Sequence, residues 1–144
     1  MLIWAHGLWG SPNGSKVTAI RESGIEVVSP DFNNMELEER IDILNELVSN
    51  KKVVLAGSSY GGLACALVAQ QQPEQIKGML LLAPALHLPE SPNDIPGNLF
   101  APNDLPITII HSTTDEIVPI SASQDYIDRS ENNISLIEVG DSHV

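Results

Sequence analysis

The sequence predicts an α/β protein, a three-layer sandwich with helices on both faces of a mostly parallel sheet of about six strands. Three observations predict it. Six short apolar runs rich in β-branched residues recur along the chain, amphipathic stretches separate most of them, and a glycine, proline or histidine ends nearly every run. Short punctuated runs of this kind read as buried strands. Strands alternating with helices imply a parallel sheet with right-handed crossovers.

The expected strands are Leu2–Ala5, Ile25–Ser29, Val53–Ala56, Met79–Ala83, Ile107–Ile110 and Ile134–Val139. The first expected helix, Lys16–Ser23, stops at Gly24, a residue suited to a C-terminal cap. The second, Glu36–Ser49, spaces Leu37, Ile41, Leu44 and Val48 along one face and carries acids at its start. The third, Tyr60–Gln72, carries Leu63, Leu67 and Val68 and ends before Pro73. A fourth is expected at Ser121–Ser130. Leu86–Leu105 breaks the rhythm with Pro89, Pro92, Pro96 and Pro102. A loop this long in a compact domain is usually functional or disordered, so residues 86–105 are expected to form a lid or substrate wall.

At 144 residues the chain is expected to be a single domain, 1–144. Its 7 basic against 19 acidic residues give a net charge of −12, which disfavours nucleic acid and anionic lipid as partners. No segment approaches the ~20 apolar residues of a membrane span, and no signal peptide is apparent. Cys65 is the sole cysteine, so no internal disulfide can form. That fits a reducing compartment, and the cytoplasm is the expected location. The composition does not fix the oligomeric state.

The chemistry concentrates where the third strand runs into Gly57-Ser58-Ser59-Tyr60-Gly61, a Gly-x-Ser-x-Gly pattern between strand and helix. A serine there sits on a turn tight enough to strain its backbone, which lifts the hydroxyl above the sheet. Side chains at 57 and 61 would collide with the adjoining helix and strand. No Gly-Lys-Ser/Thr follows, so a Walker-type phosphate loop is disfavoured.

A serine hydroxyl needs a base, and this turn goes with the chain order serine, acid, histidine. Of His6, His87, His111 and His143, only His143 follows both the serine and the last strand. Asp115 is the first carboxylate past the fifth strand and can orient an imidazole; Glu116 is its understudy, and Asp141 reads as a turn residue. The oxyanion donors are expected to be the N–H of Tyr60 and the N–H of Leu8 in the glycine-containing loop His6–Gly10. His6 is expected to brace that loop. Trp9 is read either as lining the substrate pocket or as simply packing.

These residues resemble the α/β-hydrolase superfamily over nearly the whole chain: His6-Gly7 after strand one, Gly57–Gly61, Asp115-Glu116-Ile117-Val118-Pro119, and the late His143. The run His6-Gly7-Leu8-Trp9-Gly10-Ser11-Pro12 with Ser15-Lys16 is similar to small YqiA-like single-domain esterases. The resemblance implies a minimal α/β-hydrolase fold, a catalytic triad of Ser59, Asp115 and His143, and cleavage of small carboxylic esters without cofactor or metal. Thioester or peptide hydrolysis, or a hydrolase-like protein that binds a partner without turnover, are the alternatives. Family members usually continue past the histidine with a helix, which this chain is expected to lack.

Overall fold

The computed structural model describes residues 1–87 and 99–140. Six strands, β1 (Leu2–Ala5), β2 (Val27–Val28), β3 (Val53–Ser58), β4 (Ile76–Leu82), β5 (Ile107–Ser112) and β6 (Ser135–Val139), form one sheet in the order β2-β1-β3-β4-β5-β6. Every pairing is parallel, so the sheet is wholly and not merely mostly parallel. Among the described residues four α-helices connect the strands, α1 (Ser15–Glu22), α2 (Leu37–Val48), α3 (Tyr60–Gln71) and α4 (Ile120–Arg129), and a 3-10 turn, Pro73–Gln75, leads into β4.

The two faces are covered unequally. Ile3, Leu55, Leu81 and Ile109 pack with residues of α2, α3 and α4 in the main core. Trp4 and Ala56 pack with Val17 of α1 on the other face. Strand order explains the division. The chain steps from β1 to β2 in one direction and from β2 onward in the other, and right-handed crossovers in opposite directions put their helices on opposite faces. α2 opens with a capping box in which Glu36 and Glu39 satisfy each other's backbone N–H groups. α3 is buried on nearly every side, as its all-round apolar sequence requires.

Strands β3 and β5 run two residues further than their apolar patterning suggests, because Ser58 and Ser112 still pair through their backbones with Leu82 and Val139. β2 shrinks to two residues at the sheet edge, where Ile25 is left exposed. The expected lid divides. Residues 88–98 lie outside the described residues. In the stretch 99–105, Leu99, Ala101 and Leu105 are buried in the main core while Phe100 is half exposed. Arg129 donates to the Leu99 carbonyl, and Asn132 donates to those of Pro102 and Leu105. Leu99, Ala101 and Leu105 of this stretch close the core beside α4, a role that loop composition does not reveal. Among the described residues no helix is long and apolar enough to cross a membrane.

Candidate active site

The chain reverses its winding direction at β1, so the loops after β1 and β3 diverge and leave a crevice at the carboxyl ends of the strands. A cavity of about 540 Å³ opens there, lined by Leu8, Trp9, Ser59, Tyr60, Ala85 and Val118 among others. Leu8, Trp9, Ser59 and Tyr60, four residues singled out in the sequence, thus meet around one space.

Ser59 sits between β3 and α3 at φ 54°, ψ −115°. A positive φ on a side chain with a Cβ costs of order 1–3 kcal/mol and persists only where the surroundings enforce it. Here they do. The Ser59 N–H donates to the Leu82 carbonyl at 2.9 Å, and its own carbonyl accepts from Leu63 and Ala85 at 3.2 and 2.9 Å. Ala83, in the turn opposite, is itself at φ 42°. The flanking glycines behave as expected. A Cβ on Gly57 would lie 2.8 Å from the Gly61 carbonyl oxygen and 2.9 Å from Cys65 Sγ, and one on Gly61 would lie 2.1 Å from the Ala5 oxygen. Gly62 has an equal need that the pattern did not flag: its Cβ would meet that of Pro84 at 2.8 Å. Cys65, sealed under this turn, is completely buried, and burial pushes its thiol up to about 12.

The loop after β1 is fixed by His6. Its Nδ1 lies 2.8 Å from the Gly7 carbonyl oxygen, which can only accept, so Nδ1 carries the hydrogen. Nε2 then accepts from the Phe32 N–H at 2.8 Å. The Gly7 carbonyl also accepts from Gly10 N–H at 3.1 Å. Because the peptide is planar and trans, fixing that carbonyl fixes the opposed N–H of Leu8. The loop runs close to the serine turn, since a Cβ on Gly7 would stand 3.3 Å from the Ser58 carbonyl oxygen and 3.4 Å from Ser59 Cβ. Trp9 lines the cavity with 94% of its surface exposed, so it does not pack into the core.

His6 must stay neutral for both bonds to hold. Burial lowers its pKa below the usual 6.5; the Gly7 carbonyl works against this, Arg40 adds to it, and Asp31, 3.8 Å from Nε2, opposes it. A histidine pKa lower in the folded than in the unfolded chain contributes stability that is intact above about pH 6.5 and is lost as pH falls from there toward the folded value. The unfolding midpoint of His6→Gln should therefore fall less between pH 7 and 5 than that of the unaltered protein. Parallel pH profiles in thermal melts would refute the assignment.

Past β5, the Asp115 side chain is fully buried. Its Oδ1 accepts from the N–H groups of Ile117 and Val118, both at 2.8 Å, and Oδ2 lies 3.4 Å from His111 Nε2. His111 is occupied elsewhere: Nε2–H donates to the Val118 carbonyl and Nδ1 pairs with Ser123 Oγ, each at 2.8 Å. It ties the end of β5 to the Asp115 loop and to α4. Burial lowers the His87 pKa below the usual 6.5, with the Asp115 charge opposing and His111 adding to the fall. Glu116 is exposed. His143 and Asp141 lie outside the described residues. Among the described residues no group of three or more histidine, cysteine or acidic side chains could hold a metal ion.

Sequence reasoning missed Arg40, which is completely buried although it lies on an amphipathic helix. Its Nη1 donates to the His6 carbonyl at 2.9 Å. The guanidinium lies 5.3 Å from the centre of the Phe32 ring and 4.8 Å from that of Tyr60. A clue was available in its spacing, since Arg40 falls three residues after Leu37 and four before Leu44, on the apolar stripe of α2.

None of the curated proteins matches the chain in sequence. Solved structures share its fold. A monoacylglycerol lipase from Paleococcus ferrophilus superposes with a TM-score of 0.81 at 16% identity, over 99% of this chain and 85% of that one. A hydrolase of the alpha/beta superfamily from Xanthomonas campestris pv. campestris gives 0.80 at 27% identity, over 99% and 86%. Est1E from Butyrivibrio proteoclasticus, with ferulic acid bound, gives 0.77 at 22% identity, over 99% and 80%. The family model described as the alpha/beta hydrolase fold matches residues 10–101, more than half of the chain, and the chain belongs to that family.

Proposed function

We propose that this protein is a serine hydrolase that cleaves small carboxylic esters through an acyl-enzyme. The observation that carries this reading is Ser59 held at φ 54° on the wall of a cavity, with its strain maintained from three sides. A structural serine has no need of such a conformation. The monoacylglycerol lipase among the solved structures of like fold, and the carboxylic acid bound to Est1E, agree with an ester substrate.

In this mechanism His143 takes the Ser59 proton as Oγ bonds to the ester carbonyl carbon. The oxyanion accepts from the N–H groups of Leu8 and Tyr60. Collapse breaks the C–O bond, and the alcohol leaves with the proton from His143. Water, deprotonated by the same imidazole, then releases the acid and restores Ser59. Asp115, whose Oδ1 is pinned by two backbone donors, would receive the imidazole N–H and hold its tautomer. Trp9, Ala85 and Ile117 would bound the substrate. The chemistry needs no metal or cofactor, and a lone buried cysteine suits work in the cytoplasm.

A fluorophosphonate probe tests the proposal. The expected result is a single adduct that maps to Ser59 and forms only in the folded protein. A folded protein that takes up no probe would instead be a partner-binding member of the family.

A further inference from the structure

Arg40 poses a problem of cost. A guanidinium stays charged even when burial lowers its pKa, and desolvating a charge is expensive unless it is paired. Yet Arg40 has 0% exposure, and among the described residues no carboxylate pairs with it. Its partners are two carbonyls, of His6 at 2.9 Å and Met35 at a long 3.5 Å, and the faces of two aromatic rings. A leucine or methionine on the same stripe of α2 would pack there without that cost, so stability alone does not account for an arginine.

The partners themselves show what the arginine joins. The His6 carbonyl belongs to the turn that leads into Gly7 and Leu8. It also lies against the first turn of α3, where a Cβ on Gly61 would come within 2.5 Å of its oxygen. Phe32 donates the N–H that holds the His6 imidazole, and that imidazole holds the carbonyl opposed to Leu8 N–H. Tyr60 is the residue after Ser59. One guanidinium therefore touches the loop bearing Leu8, the residue that locks that loop, and the side chain of the residue supplying the other amide.

We propose that Arg40 is a positioning residue that holds the Leu8 and Tyr60 amides at a fixed separation from Ser59. This rests on the reading of the site as a serine hydrolase. Arg40 reaches neither substrate nor Ser59 but sets the spacing between two independently anchored backbone segments. Its buried positive charge is bonded to the His6 carbonyl and lies over the Tyr60 ring, close enough to both segments to favour negative charge developing at the site. Such an effect appears in the transition state and not in substrate binding.

The test compares the unaltered protein with Arg40→Met and Arg40→Lys, measuring kcat and KM on a short acyl ester together with the affinity of butylboronic acid, which forms a tetrahedral adduct on a nucleophilic serine. For Arg40→Met we expect kcat to fall about 10–100-fold, KM to stay within about threefold, and boronate affinity to fall in step with kcat. A folded Arg40→Met with full kcat, or one whose loss lies in KM with boronate affinity unchanged, overturns the proposal. Should Arg40→Met fail to fold, Arg40→Lys decides. It keeps the charge but not the planar stack between two rings, so kcat and boronate affinity should still fall together, and full activity overturns the idea. An unaltered protein that turns over no ester refutes the hydrolase reading instead. Amide NMR then judges Arg40 separately: the Leu8 and Tyr60 resonances should shift in Arg40→Lys while those of α4 remain in place, and unshifted resonances reject the positioning role.

Discussion

Ser59→Ala is expected to lower ester hydrolysis by about 10⁴–10⁶-fold while leaving the thermal midpoint within a few degrees of the unaltered protein. The loss is large because none of the other serines on the cavity wall, Ser11, Ser15 and Ser58, is held at a positive φ on a strand-to-helix turn. Ser58, next in line, is the last residue of β3 and is buried in the sheet ladder. The structural effect is small for a separate reason. The strained φ is enforced by the backbone bonds to Leu82, Leu63 and Ala85, which alanine keeps, and alanine bears the same Cβ at φ 54°. Only a hydroxyl is removed, and substitutions away from packing, caps and networks stay within about ±0.5 kcal/mol. Initial rates on a short acyl ester, paired with a melting curve, read both effects. Ser59→Ala with wild-type rates would remove Ser59 from the mechanism, and a large fall in melting temperature would show that the hydroxyl contributes to the fold.

The parts of this molecule that were legible in the sequence are those written in local patterns. Each of the six strands shows as an apolar run, α2 as a 3.6-residue stripe and α3 as an all-round apolar stretch, so the six strands and four α-helices among the described residues lie within a few residues of their expected places. The turn at Ser59 was legible for the same reason, since glycines 57 and 61 answer contacts only a few residues away in sequence or one strand across. What stayed hidden depends on long-range contact. Arg40 meets His6 from 34 residues away, and its place on the apolar stripe of α2 hints at burial but names none of its partners. The stretch 99–105 reads as loop because Pro102, Asn103 and Asp104 interrupt it. Its burial follows from α3 and α4, which flank it only after folding. His111 was passed over on chain order, and its bonds to Ser123 and Val118 supply the physical reason.

The site also depends on a close approach between two backbones, which makes Gly61→Ala the most disruptive single change we expect. Gly61 lies in the first turn of α3, where the helix crosses the end of β1. A Cβ there would stand 2.1 Å from the Ala5 oxygen and 2.5 Å from the His6 oxygen. Both are main-chain atoms in or beside a strand that pairs on either side with β2 and β3, so neither can rotate aside as a side-chain tip would. Relief requires α3 to move off β1 by about 1 Å or more, which opens the core around Leu63, Ala64 and Leu67 and drags Ser59 with it. A forced backbone shift of this kind falls among the exceptional substitutions that cost more than about 4–5 kcal/mol, against a total stability of about 5–15 kcal/mol for a typical domain. Gly61→Ala should therefore be largely insoluble or melt far below the unaltered protein, and any folded fraction should have lost about 100-fold in kcat through misplacement of Ser59. Gly78→Ala is the matched control. Its Cβ would meet only the Pro106 oxygen, at an ordinary 3.5 Å, in the middle of β4. There the added methyl should be neutral or slightly stabilising, because glycine in a strand carries an entropic cost of about 0.5–1 kcal/mol relative to alanine. Equal melting temperatures for the two variants would show that α3 and β1 do not cross this closely, and the strained turn that presents Ser59 would then lose its structural basis.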